Sequence, residues 1–238
     1  DFHTGQNDLP YTDEKGNAKV MRHRGYQNLL ESMKTAVPYF PDTEKLLILG
    51  CSGGAFAVPS VAPDIMGFYP SCGDVTVYSD SALLLCDEWK NAAQNVWNSP
   101  KQITQAVTSN NITADWYRAL IKEKGDSIRY LYSSSVKDEA LSLYQNYISN
   151  GIFKSGQEAH DTFKRYLKNH VAELKDVNPK FGFHINEFPN PRKPKNGTEH
   201  CVSMCPRFFT PVSGGPAAMD WLWDAVNGKI YDVGVDLL

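Results

Sequence analysis

The stretch LLILGCSGGAFAV, residues 46–58, constrains the fold more than any other part of the chain. Four aliphatic residues bounded by glycine are too few for a helix and read as a buried strand. A Gly-Cys-Ser-Gly-Gly turn follows, then small and apolar residues at the start of a helix. In a strand–turn–helix of this kind Gly50 and Gly54 allow close approach of the two elements. Ser52 is left in an unfavourable backbone conformation that projects its hydroxyl into the open. The helix N-terminus offers free amide donors, and the Gly53 N–H is placed to stabilise an oxyanion. The competing reading is a Gly-rich connection with Ser52 as a capping residue, and Pro59 is expected to kink or end the helix early.

The rest of the pattern extends this unit. Gly25 to Ala36 has helical spacing, with Tyr26, Leu29, Leu30 and Met33 on one face. Strands are predicted at Val75 to Tyr78 and Ser127 to Tyr132, and helices at Asp80 to Asn98, Asp115 to Glu123, Glu139 to Ile148, Gln157 to Leu174 and Gly215 to Val226. Phe188 to Lys195, rich in proline, reads as a surface loop. Strands alternating with helices predict an α/β fold, a mostly parallel sheet with helices on both faces. A chain of 238 residues suits one domain spanning 1–238.

With 24 basic against 27 acidic residues, the chain has no electrostatic footprint for nucleic acid or anionic lipid. No apolar run approaches the roughly 18 residues of a membrane span. Five cysteines and two glycosylation sequons, Asn111-Ile-Thr and Asn196-Gly-Thr, point to an extracytoplasmic, oxidising compartment. His200, Cys201 and Cys205 lack a fourth ligand and the spacing of a structural zinc site, so no metal is expected.

A serine hydroxyl is a poor nucleophile unless a histidine takes its proton and an acid orients that histidine. After a nucleophile elbow the chain order is Ser, acid, His. His160 and His170 lie in a charged helical stretch and read as solvated; His184 could line a strand or pocket; His200 stands in a late loop from which an imidazole can cross the top of a sheet. For the acid, Asp138 follows a strand through a Ser-rich turn, where open α/β sheets gather functional groups. It also suits the N-cap of the helix starting at Glu139. Asp80, at the end of the strand after the elbow, is its competitor.

Several segments in order are similar to the pectin acetylesterase family, which also takes in the animal Notum carboxylesterases. DFHTGQN resembles its Asp-x-His-x-Gly segment, and HRGYQNLLESM with LLILGCSGGAFA its Gly-Tyr-x-Asn helix and GCSAGG-type nucleophile motif. VYSDSALLL resembles the Asp-Ser segment on the next strand, SSSVKDEALSLYQ the segment with the triad acid, and GTEHCVSMCPRFFT with MDWLWDAVNG the histidine loop and closing Asp-Trp-Leu helix. The resemblance implies an α/β-hydrolase-like fold, with Ser52 as nucleophile, Asp138 as acid and His200 as base. It makes Asp80, with Ser81, a pocket or framework pair beside the site. Gly53 stands where the family usually has alanine, which preserves the amide. The family's Gly-rich oxyanion loop and early strands lie upstream of the Asp-x-His segment, so an upstream polypeptide segment, absent from this chain, is expected to complete the sheet and the oxyanion hole.

The chemistry so implied is serine ester hydrolysis through an acyl-enzyme, without cofactor. Acetyl groups on pectin or a related polysaccharide are the implied substrate, and Trp89, Trp97, Trp116 and Phe183 are either a sugar platform or core. The alternatives are a lipid or acyl-protein carboxylesterase and a catalytically silent carbohydrate-binding protein of the same fold.

Overall fold

A computed structural model describes residues 1–192 and 197–238. The chain opens with a two-stranded antiparallel ribbon, β1 (Asp8–Thr12) and β2 (Ala18–Arg22), followed by α1 (Gly25–Ala36). The aliphatic run forms β3 (Lys45–Cys51) and leads directly into α2 (Gly53–Gly67). Next come β4 (Asp74–Asp80), α3 (Trp89–Asn91) with a π turn at Ala92–Val96, α4 (Lys101–Ala106) and α5 (Ile112–Lys124). The remainder is β5 (Arg129–Ser135), α6 (Glu139–Asn150), α7 (Gln157–Val177), β6 (Gly182–Asn186) and α8 (Ala218–Val226).

Strands β3 to β6 lie in chain order in one sheet and every pair is parallel. Alternate residues therefore face opposite sides. Val75, Val77, Tyr130, Tyr132 and Phe183 join the large core made with α2, α5 and α7, while Tyr78 and Leu131 join a smaller one with Trp221, Leu222 and Ala225 of α8. This is the α/β architecture that the alternation of strands and helices predicts, with helices on both faces. Leu47 and Leu49 of β3 face the α8 side yet remain 41% and 39% exposed, although the end of α8 meets this edge strand where the Lys45 amino group donates to the Val226 carbonyl at 3.3 Å.

Three local expectations are corrected. Pro59 neither ends nor breaks α2, which runs on past Pro63. The carbonyl that Pro59 cannot serve, that of Ala55, accepts instead from the Ser79 hydroxyl at 2.8 Å, and Ser79 is held in turn by Tyr117 Oη at 2.7 Å. No helix forms at Asp80 to Glu88: Ser81 adopts φ 64°, and the backbone of Leu85 is bonded on both sides by the Gln145 side chain, at 2.7 and 3.0 Å. His160 and His170 are buried, not solvated. They fall in the same stripe of α7 as Phe163, Leu167, Val171 and Leu174, whose spacing of three and four residues faces the core.

Candidate active site

The turn after β3 answers whether Ser52 is a cap or something else. Ser52 has φ 52° and ψ −123°, a costly conformation for a residue with a Cβ. Its side chain makes no capping bond to α2, and its N–H donates to the Asp80 carbonyl at 2.9 Å, tying the turn to the end of β4. Gly50 is required here: a Cβ would come within 2.4 Å of the Gly54 carbonyl oxygen and 2.7 Å of Val58. Gly54 itself has room for a Cβ, and so has Gly53, whose nearest neighbour would be Phe2 at 3.9 Å. The strand therefore yields to the helix backbone, and only one of the two glycines is sterically obligatory.

Asp138 sits at the N-terminus of α6, fully buried, where its carboxylate both caps the helix and meets an imidazole. One carboxylate oxygen accepts from the Leu141 N–H at 2.9 Å, and the other bonds His200 Nδ1 at 2.8 Å. With Nδ1–H donating to the carboxylate, Nε2 is left as the basic nitrogen. Thr198 fixes the approach of the histidine loop: its N–H donates to the Lys137 carbonyl at 3.0 Å, its carbonyl accepts from Glu139 N–H at 3.2 Å, and its hydroxyl accepts from Lys137 N–H at 2.9 Å. The Ser135 hydroxyl also donates to the Glu199 carbonyl.

A disulfide, Cys51–Cys201, joins the residue before Ser52 to the residue after His200, with Cα atoms 5.9 Å apart. Adding one virtual bond at each end keeps the Cα atoms of Ser52 and His200 within about 13.5 Å of each other. Among the described residues, the Ser52 hydroxyl and His200 Nε2 make no hydrogen bond to one another. The structure thus brings Asp138 and His200 into contact and ties the Ser52 turn to the same loop through sulfur.

Burial pulls the His200 imidazole down, but the Asp138 carboxylate, the hydrogen bond to it, Asp80 and Glu199 together hold it above its ordinary value. Burial pushes the Asp80 carboxyl up, partly offset by hydrogen bonds from Ser203 and Ser133. His184 is buried in β6, against Trp221 and 3.4 Å from the Pro216 carbonyl, away from the triad candidates' contacts. His200 and Cys201 are committed to Asp138 and to the disulfide, which leaves no zinc cluster with Cys205; among the described residues no group of metal-ligating side chains is gathered.

Trp89, Trp97, Trp116 and Phe183 are all core residues, so the sugar-platform reading of them is overturned. The Asn111 sequon is also buried: its side chain caps α5 and its amide nitrogen bonds His170 and Glu173, leaving no room for a glycan. Asn196, with the end of the Pro-rich loop, lies outside the described residues. What residue-by-residue reasoning missed is the second ring of contacts, namely Ser133, Thr198 and Ser203, and the pairing of Cys51 with Cys201. A cysteine directly before the candidate nucleophile and another directly after the candidate base were the available signal.

No protein-family model matches the sequence, and no curated protein matches it. In structure, the chain is similar to the Wnt deacylase Notum from Drosophila, with a TM-score of 0.57 and 15% sequence identity. The likeness covers 95% of this chain and 66% of that one. It shows a Notum-like α/β fold.

Proposed function

We propose that the protein is a serine carboxylic-ester hydrolase, with Ser52 as nucleophile, His200 as base and Asp138 as the acid that orients it. The observation that carries this reading is the buried Asp138–His200 pair, linked through Cys201–Cys51 to a serine at positive φ. His200 Nε2 takes the Ser52 hydroxyl proton as Oγ bonds to the ester carbonyl carbon, and the Gly53 N–H faces the oxyanion. Collapse breaks the bond to the alcohol oxygen, which leaves with the proton from Nε2. Water then gives a proton to Nε2 and its oxygen to the acyl carbon, and the acid departs as Ser52 regains its hydrogen.

The motif resemblance favours acetyl esters of pectin or a related polysaccharide as substrate, and a secreted protein; the disulfide suits such a compartment. The open edge of β3, with Leu47 and Leu49 exposed on one face, supports a further polypeptide segment covering that edge and supplying the second oxyanion donor. A second reading is favoured by Met204 and Phe209, 74% and 70% exposed just beyond His200. They suit an apolar acyl or alcohol group, as in a lipid ester, and the structural neighbour is named as a deacylase of Wnt.

The test is fluorophosphonate labelling and 4-nitrophenyl acetate turnover by the full-length protein. Ser52→Ala should abolish labelling, and it and His200→Ala should each lower kcat by about 10⁴-fold or more, with Asp138→Asn close behind. Retained turnover in Ser52→Ala rejects the mechanism, and an unlabelled wild type leaves the silent binding protein. Acetate release from pectin against xylan, and cleavage of a long-chain acyl ester, separate the substrates.

A further inference from the structure

Asp80, the last residue of β4, is a fully buried carboxylate that the proposed chemistry leaves unused. Its contacts reach the Ser52 turn, the strand that leads to Asp138 and the loop that carries His200. The main-chain carbonyl accepts from Ser52 N–H at 2.9 Å. One carboxylate oxygen accepts from the Ser133 hydroxyl of β5 at 2.7 Å, itself bonded to Tyr78 Oη at 2.7 Å. The other accepts from both the N–H and the hydroxyl of Ser203, at 2.7 and 2.6 Å. Next to it, Ser81 Oγ accepts from Cys201 N–H at 3.2 Å, with Ser81 itself at φ 64°. The acidic partner of His200 is Asp138, so Asp80 is not the triad acid; nor is it open to a substrate.

We propose that Asp80 is a positioning residue of the active site, the fixed anion on which the loop carrying His200 is seated against the Ser52 turn. This rests on the esterase reading and adds to it. A buried carboxylate surrounded by donors is a stiff anchor: two short bonds from one serine define where the segment three residues after His200 must lie. Small misplacements of a reacting group cost rate steeply. Because the anchor is at the end of β4, and the same residue's carbonyl holds Ser52, any displacement of the histidine loop relative to the turn has to break a contact to Asp80.

The anion also acts through space. His200 is faced by Asp138 from the start of α6, by Asp80 from β4, and by Glu199 from its own loop, with Arg207 and Arg192 beside Glu199. Asp80 is faced by Asp138, by the buried phenols of Tyr78 and Tyr132, and by the Cys205 thiol. Removing the charge of Asp80 takes away one of the anions that favour the imidazolium of His200.

The experiment compares Asp80→Asn and Ser203→Ala with wild type in 4-nitrophenyl acetate hydrolysis across pH. Asp80→Asn should lower kcat about 10- to 100-fold, with KM nearly unchanged and the acidic limb of kcat/KM moved to lower pH. Ser203→Ala, which removes one of the two bonds and keeps the charge, should lower kcat about 3- to 10-fold, with the limb in place. Wild-type kcat in Ser203→Ala overturns the proposal, whether or not Asp80→Asn folds. So does Asp80→Asn with kcat reduced but the acidic limb unmoved, which would mark the residue as a brace of the fold alone. A wild-type protein that takes no fluorophosphonate label instead overturns the esterase reading, and this inference with it.

Discussion

At position 50 the chain has no freedom. The α2 backbone crosses so close that an alanine Cβ would overlap the Gly54 carbonyl, and two backbones cannot both give way without moving Ser52. Gly50→Ala should therefore destabilise by about 1–3 kcal/mol and lower kcat, read by a denaturant melt and an esterase assay. Gly53→Ala, with its nearest neighbour at 3.9 Å, should leave the melt unchanged or raise it slightly. His200 sets a second expectation. As the proposed base it must be neutral, and its neighbours hold its pKa above the ordinary value of 6.5, so the acidic limb of kcat/KM should lie above about 6.5. A limb at or below that value would mean that Asp138 does not act on it as an anion. The Ser52 turn was legible in the sequence because its residues are diagnostic by type: a glycine forced by contact, a serine forced to positive φ. The partner of His200 was half legible: position alone left Asp138 and Asp80 as competitors, the motif resemblance favoured Asp138, and the fold places His200 Nδ1 against Asp138.

The helices show why some readings at the element scale failed. Proline was read against α2 because its missing N–H strands a carbonyl, and the remedy, a hydroxyl from Ser79 on a neighbouring strand, is a contact no local window contains. Ser79→Ala should strand the Ala55 carbonyl inside the core, leave the Tyr117 hydroxyl only its longer bond to the Leu131 carbonyl at 3.3 Å, and cost about 1–3 kcal/mol, measured by denaturant unfolding; a change near zero would mean that α2 tolerates Pro59 by itself. In α7 the core stripe and the charged face share one sequence window. The stripe containing His160 and His170 has core spacing, and the charged residues between its members belong to the opposite, solvated face. Burial, aided by Arg118, lowers the His170 pKa to about 3. The native side chain thus stays neutral while the unfolded one takes a proton below about 6.5. The unfolded state binds more protons throughout that window, so stability should fall as pH drops from 6.5 towards 3, by at most about 1.4 kcal/mol per pH unit from this group. Unfolding curves at several pH values should show that slope, reduced in His170→Gln.

On the scale of the whole molecule the four-stranded sheet follows from strand–helix alternation, whereas the cross-link that closes it does not, because pairing among five cysteines is a matter of three-dimensional proximity. Cys51 and Cys201 are 150 residues apart, so their bond closes β4, β5 and β6 into one covalent loop that starts at the end of β3. In the chain-entropy account a loop of this size restricts the unfolded ensemble by about 5 kcal/mol, comparable with the lower end of the net stability of a domain. Two effects are thereby combined in one bond: the unfolded state is constrained, and the Ser52 turn is bound to the histidine loop. They separate in the double variant Cys51→Ala, Cys201→Ala. Loss of the entropic effect should lower Tm by about 10–20 °C in a domain of this size. Loss of the local tether should lower kcat in samples still fully folded by far-UV circular dichroism. Cys72, Cys86 and Cys205 are the free thiols, and burial raises the pKa of Cys205, the one nearest in sequence to the bridge. Cys205 is then held as a poorly nucleophilic thiol, which protects the cross-link from internal exchange. The native protein should accordingly keep the Cys51–Cys201 pairing on storage at neutral pH, as read by peptide mapping under non-reducing conditions. Recovery of a Cys51–Cys205 peptide would show that the loop beyond His200 opens far enough to bring that thiol to the bridge.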